Sequence, residues 1–290
     1  MNEKQEMTTI KRKPGKAVLE RRIAGELEYL TFPGLRECGL VNHLFTTRKG
    51  GVSKGIYSSM NVSYTRGDEK EAVDENYRRI ATVFGSDVSK IVCSDQTHTT
   101  NVRLVTKKDC GKGVITPKDY TDVDGLITDE PGIILATFYA DCVPLYFVDT
   151  EHKAIGLSHS GWKGTVNKMG ECTLQAMKEA FGTRPEMVKA AIGPSICQEC
   201  YEVSRDVAEQ FMLLFKDCPK EILYLGKEEG KYQLNLWEAN KKILLDAGIL
   251  PENLEVTDIC TCCNPEYLFS HRASNGKRGN LGAFMELRKS

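Results

Sequence analysis

Apolar residues recur along the chain in short runs separated by polar turns, and the period of each run assigns it to strand or helix. Runs of β type cover Val41 to Thr46, Lys90 to Cys93, Val102 to Val105, Ile133 to Tyr139, Val143 to Val148, Ala154 to Ser158 and Val188 to Ile192. Several are apolar throughout, the pattern of strands covered on both faces. Other stretches space their apolar residues three and four apart and predict helices over roughly Lys70 to Phe84, Thr165 to Phe181, Ser204 to Phe215 and Leu234 to Ala247. Gly85, Gly182 and Gly248 stand near their ends, as helix stop signals do. A last strand is expected over Leu281 to Leu287, which makes the chain a mixed α/β protein.

Residues 1–22 carry seven Lys/Arg against three Glu and contain Pro14-Gly15, so they are expected to form a mobile basic tail. Residues 23–290 show no repeat, linker or low-complexity tract and read as one continuous domain. Lys+Arg number 39 against 40 Asp+Glu, a balance without the basic field that drives binding to nucleic acid. The longest apolar stretch, Ile133 to Ala140, is too short to cross a bilayer. Eleven Cys, and no apolar segment behind the early basic residues, lead us to expect a cytoplasmic protein with reduced thiols. Some of these thiols would then be core residues and others metal ligands or nucleophiles.

Two of the five His lie where strand patterns give way to small polar residues, in Gln96-Thr97-His98-Thr99 and Ser158-His159-Ser160-Gly161. Between them, Ala140-Asp141-Cys142-Val143-Pro144 sets a carboxylate beside a thiol in an apolar stretch, where a charge needs a partner. His98, Cys142 and His159 are side chains that suit zinc, and three protein ligands leave a fourth position open for water, as in catalytic sites. The same residues also read as a Cys142 nucleophile with His159 as base, or as ordinary structural side chains. Cys197-Gln198-Glu199-Cys200 has CxxC spacing and, with Cys260-Thr261-Cys262-Cys263, is a candidate second, structural metal site; core thiols are the alternative. Two segments suit anions: Arg48-Lys49-Gly50-Gly51-Val52-Ser53, where glycine amides can approach an oxyanion, and Gly161-Trp162-Lys163-Gly164-Thr165, which opens a helix. A tight turn and a helix cap are the competing readings. Trp162 could stack on a planar ligand, and Ser270-His271-Arg272 with Gly276-Lys277-Arg278-Gly279 add positive charge.

Taken in order, these residues match a known pattern. His43-Leu44-Phe45-Thr46-Thr47-Arg48-Lys49-Gly50-Gly51-Val52-Ser53, Met60-Asn61-Val62, Asp95-Gln96-Thr97-His98, Asp122-Val123-Asp124-Gly125, Ala140-Asp141-Cys142-Val143-Pro144, His159-Ser160-Gly161-Trp162-Lys163-Gly164, Gly193-Pro194-Ser195-Ile196, Cys200-Tyr201-Glu202-Val203, Cys260-Thr261 and Phe269-Ser270-His271-Arg272 follow one another. From about residue 30 to 288 the chain resembles the laccase-domain family, also called multicopper polyphenol oxidase-like and assigned as purine nucleoside phosphorylases. It departs from the usual pattern at Val62, Lys163 and His271, on flanks of the motifs.

The resemblance implies a single-domain, mixed-sheet α/β/β/α sandwich like that of a deamidating bacterial toxin. It implies zinc on His98, Cys142 and His159, which would also be the catalytic residues. The implied partners are purine nucleosides and phosphate: adenosine, inosine and 5'-methylthioadenosine cleaved to free base and ribose 1-phosphate, with adenosine deamination as well. For that chemistry Arg48, Gly50, Gly51 and Arg278 are expected to hold phosphate or ribose oxygens, with Asn61, Gln96 and Trp162 as further substrate contacts. Asp124 or Asp141 is the expected proton carrier or partner of the ligands. Five His cannot supply a mononuclear copper and a trinuclear cluster, so copper is left only a weak side oxidation of polyphenols at the His/Cys/His group. The competing classes are a Cys142-dependent amide hydrolase that edits peptidoglycan precursors and a non-enzymatic, zinc-stabilised interaction module.

Overall fold

The computed structural model describes residues 9–15, 17–216 and 219–289. The first strands are β1 (Glu20–Ala24) and β2 (Leu27–Thr31), followed by helix α1 (Pro33–Glu37), β3 (Val41–Thr46) and α2 (Lys70–Val83). Next come β4 (Ile91–Cys93), β5 (Val102–Leu104), β6 (Gly125–Thr128), β7 (Ile134–Tyr139), β8 (Val143–Asp149) and β9 (Ala154–Ser160). Helices α3 (Trp162–Val166) and α4 (Met169–Phe181) lead to β10 (Val188–Ile192), β11 (Glu202–Ser204), α5 (Arg205–Leu214), α6 (Pro219–Ile222), β12 (Leu223–Leu225) and β13 (Lys231–Leu234). The chain closes with α7 (Leu236–Asp246), β14 (Leu254–Val256) and β15 (Leu281–Leu287).

Two six-stranded mixed sheets, ordered β1-β2-β3-β15-β7-β4 and β14-β10-β8-β9-β6-β5, form the body, and β11-β13-β12 make a small third sheet. Strand alternation fixes the layers, because successive side chains of a strand point to opposite faces. In β7, Leu135 and Tyr139 enter the core between the sheets, while Ile134 and Ala136 pack outward under Val73, Tyr77, Ile80 and Ala81 of α2. In β8, Tyr146 and Val148 face that central core, and Val143, Leu145 and Phe147 meet the outer cluster built with α4, α5 and α7. Both sheets are thus covered on two faces, which is why their sequences read as unbroken apolar runs. The layer order is the expected α/β/β/α sandwich.

Two local expectations are corrected, and one element is added. The helix expected over 165–181 is two: Thr165 is fixed by Ser160 and Asn240 through buried side-chain bonds, and Lys168, with φ of 58°, redirects the chain into α4. Strands β1 and β2 have no apolar signature on β1; they form a hairpin about Gly25, whose positive φ of 58° suits the tight turn. The basic segment expected to be a mobile tail is held at several of its described residues. Its residues 1–8 and 16 lie outside the described residues, while Arg12 pairs with Asp258 at 2.5 Å, Lys13 with Glu199 at 2.6 Å, and Glu20 onward belongs to β1.

Candidate active site

Three chain segments deliver the expected ligands. Beyond β4 the chain reaches His98, which adopts a positive φ of 68°. Strand β7 lies in the first sheet and β8 in the second, so the chain crosses between sheets at Ala140-Asp141-Cys142. Asp141 makes that turn with φ of 87°, and its carboxylate is gripped: Thr261 Oγ1 donates to Oδ1 at 2.6 Å and the Arg272 amide to Oδ2 at 2.7 Å. Its carbonyl also accepts the Ile196 amide at 3.0 Å. His159 stands within β9, opposite Pro144, rather than beyond the strand end expected at Ser158.

One ligand atom from each of His98, Cys142 and His159 lies within 4.8 Å of the others. Cys142 Sγ is 4.0 Å from His98 Nε2, and the two imidazole centroids are 5.0 Å apart. Asp124 organises the group. Fully buried, it accepts His159 Nδ1–H at 2.7 Å and the backbone amides of Thr97, His98 and Thr99 at 3.1, 3.2 and 2.9 Å. Because a carboxylate here only accepts, a proton sits on His159 Nδ1, and Nε2 is the nitrogen left to face a metal, as a metal ligand requires. The set of two imidazoles and one thiolate, with a carboxylate behind one imidazole, fits a zinc ion with an open position.

Without a metal, the local charges favour a thiolate beside a protonated imidazole. Burial pushes the Cys142 thiol up, but the adjacent His159 and His98 outweigh it and bring it down to about 6. For His159 burial works downward, and the charge on Cys142 and the Asp124 carboxylate raise it to about 9. Gly161 lets the three groups meet: a Cβ there would stand 2.9 Å from the His98 ring and 3.1 Å from Cys142 Sγ. The 161–165 segment, expected to suit an anion, does not line the adjacent cavity.

This cavity, of about 410 Å³, is lined by His98, Cys142 and His159, by the aromatic residues Tyr64, Tyr77 and Phe138, and by Arg66, Lys118 and Arg278. Its size suits a small organic ligand. Lys118 is neutralised by Asp95. Arg278, only 9% exposed, donates to the Gly279 carbonyl and the Asn280 side chain, but its buried Nε has no partner. Among the described residues neither Arg278 nor the exposed Arg66 pairs with a carboxylate. Burial and the neighbouring Arg66 lower Arg278 to about 10. A buried guanidinium without a counter-charge is costly, and an anion in the cavity removes that cost.

Other expected contacts stand elsewhere. Arg48 packs over Phe269 and donates to the carbonyls of Ser58 at 2.9 Å and Pro265 at 2.6 Å, so its donors brace two loops. At Gly50 and Gly51 a Cβ would strike the Glu26 and Ser59 carbonyls, so these glycines permit close backbone packing. Asn61 is buried; its side-chain NH₂ donates to Asp68 and the Ser63 carbonyl, and its oxygen accepts the Asn280 amide. Trp162 packs against the outer helical cluster. Gln96 does line the cavity, with both amide ends bonded to the Phe138 backbone. Asp141 is a loop brace rather than a cavity group. Arg66, Tyr64 and Lys118 were not anticipated, although Arg66-Gly67 carries the signal, a cation beside glycine, that drew attention to Arg48.

A second group also converges: Cys197, Cys200, Cys260 and Cys263. Cys262 is not among them, and setting it aside gives Cys260 and Cys263 the CxxC spacing that the run Cys-Thr-Cys-Cys concealed.

A four-layer sandwich with an imidazole–thiol–imidazole group at the passage between its sheets defines the class of protein. The profile of the family described as multi-copper polyphenol oxidoreductase laccase matches residues 42–288, and the chain belongs to that family. It is 35% identical over 250 residues to "Purine nucleoside phosphorylase YlmD" of Bacillus subtilis (strain 168), covering 85% of this chain and 88% of that one. It is 30% identical over 230 residues to "Adenosine deaminase RL5" from an unknown prokaryotic organism, covering 79% and 87%. The crystal structure of YlmD from Geobacillus stearothermophilus superposes with a TM-score of 0.85 at 32% identity, over 94% of this chain and all of that one.

Proposed function

We propose that the protein is a zinc-dependent purine nucleoside phosphorylase. In this reading it cleaves adenosine, inosine and 5'-methylthioadenosine with phosphate to the free base and the corresponding ribose 1-phosphate, and deaminates adenosine to inosine. The observation that carries the reading is Arg278: a buried guanidinium with an unpartnered Nε, beside Arg66, in the same cavity as His98, Cys142 and His159. Such a pair is built for an oxyanion with several acceptors, and phosphate is the co-substrate of phosphorolysis.

Zinc on His98, Cys142 and His159 would supply a Lewis acid with one open position. The chain's own residues supply the rest. Arg278 and Arg66 hold and orient phosphate toward the sugar, which replaces a bimolecular encounter with a positioned one. Phosphate then meets the cations that line the cavity, rather than Arg48 and the Gly50-Gly51 turn. Tyr64 and Phe138 offer flat apolar walls to a purine. Asp124 keeps the His159 proton on Nδ1 and fixes the His98 loop. Oxidation of polyphenols on copper would be a side activity of the same three ligands.

Adenosine incubated with purified protein of known metal content, with and without phosphate, tests the reading by chromatography. Adenine formed only with phosphate supports phosphorolysis, and inosine formed without it supports deamination. A zinc-loaded protein that forms neither refutes the proposal. The Cys142–His159 pair, with its thiol brought down to about 6, then favours the amide hydrolase instead.

A further inference from the structure

Cys197 and Cys200 flank a short turn that ends with Gln198–Cys200, and Cys260 and Cys263 bound another, joined to the first by the bridge between Ser195 and Cys260. One sulfur from each of the four lies within 4.8 Å of the others. Cys200 and Cys263 are 3.5 Å apart at sulfur, and Cys197 and Cys263 3.9 Å. A disulfide would bring a pair to about 2.05 Å. Four sulfurs around a zinc at about 2.3 Å stand about 3.8 Å from one another, which matches. Cys260 Sγ accepts two backbone amides, from Cys197 at 3.2 Å and Cys263 at 3.4 Å, and such bonds stabilise a sulfur that carries charge. The Lys13 ammonium, paired with Glu199, adds a cation beside Cys197.

We propose that Cys197, Cys200, Cys260 and Cys263 bind a second zinc ion, in a closed structural site separate from the cavity. The two CxxC turns then form one unit on which the early basic segment rests: Lys11 exchanges backbone bonds with the Asn264 side chain, and Arg12 pairs with Asp258. All four ligands are protein thiolates, so the ion has no open position and takes no part in substrate chemistry.

Metal analysis and zinc X-ray absorption on purified protein test this. The intact chain should hold close to two zinc ions, with more sulfur than nitrogen in the averaged coordination. Cys142→Ala should lose one zinc and keep the other, now surrounded by four sulfurs alone, whether or not any nucleoside is turned over. Cys200→Ser with Cys263→Ser should lose the all-sulfur component and keep the mixed one. The inference is overturned if the intact chain holds a single zinc with mostly nitrogen neighbours, if Cys142→Ala is zinc-free, or if iron fills the site. It is overturned as well if intact mass shows these cysteines as disulfides, each lighter by two hydrogens. Failure of the purine reading leaves these outcomes unchanged, because none depends on activity.

Discussion

Replacing Asp124 by Asn changes one oxygen to an amide and leaves volume and packing intact, so its effect isolates the carboxylate. Asp124 Oδ2 accepts the Thr97 and Thr99 amides and the Thr99 hydroxyl, while Oδ1 accepts the His98 amide and His159 Nδ1–H. Asparagine has one carbonyl oxygen, and the larger set of donors takes it. The new NH₂ then faces the His98 amide, donor against donor, and His159 Nδ1. A buried donor left without a partner costs about 1–3 kcal/mol. To avoid a second clash the imidazole must accept at Nδ1, which moves its proton to Nε2 and removes the lone pair that faces Cys142. Loss of such a partner weakens metal affinity by about 10–100-fold. Asp124→Asn should therefore weaken zinc binding by that factor in a chelator competition, lower nucleoside turnover at least as much, and reduce unfolding free energy by about 1–3 kcal/mol. Unchanged zinc affinity and unchanged turnover in a folded Asp124→Asn protein would refute the tautomer argument.

Other outcomes follow from the same geometry. Arg278→Met should raise the phosphate KM by tenfold or more, on the order of the 1.5–3 kcal/mol of a charged hydrogen bond, with a smaller effect on deamination; Arg48→Ala should instead reduce both reactions equally, through its loop contacts to Ser58 and Pro265. Gly161→Ala, whose methyl would stand 2.9 Å from the His98 ring, should release zinc from the mixed site while the melting temperature moves little, as metal analysis and calorimetry will show. Burial opposes ionisation of Asp109, yet Lys112, the Thr106 amide and Arg103 hold its carboxyl well below the usual range. Its folded value being the lower one, the stabilisation is present above the unfolded value, about 4, and is lost as pH falls through the folded one. The stability gap between wild type and Asp109→Asn, measured by denaturant titration, should thus narrow as pH drops below about 4; a gap independent of pH would contradict the ion-pair account.

The central strands were legible because two-sided burial writes unbroken apolar runs, as in β7 and β8. Strand β1 was not, since an edge strand such as Glu20–Ala24 is only half covered and carries charges along its length. The break before α4 depends on Thr165 bonding to Ser160 and Asn240, partners distant in the fold that no local period records. For the site, His98, Cys142 and His159 were visible as rare residue types at strand ends. Of the expected anion contacts Arg278 lines the cavity and Arg48 does not, because a basic side chain beside glycine looks alike in sequence whether its donors are consumed by carbonyls, as at Arg48, or one is left open, as at Arg278. Cys262 hid the second CxxC by sitting inside it.

Asp141 links more than one loop. The residue beside Cys142 is held by Thr261, which lies between Cys260 and Cys263, and by Ile196, which precedes Cys197. If both groups take metal as proposed, this one residue links the segments that carry their ligands, and binding at the two is expected to be coupled. Coupling of this kind is reciprocal: whatever factor an ion among the four cysteines adds to affinity at the His/Cys/His group, an ion at that group returns to the cysteines. Removing the Asp141 side chain should weaken that exchange, leaving only the carbonyl bond to Ile196, so that the two groups fill more nearly as strangers.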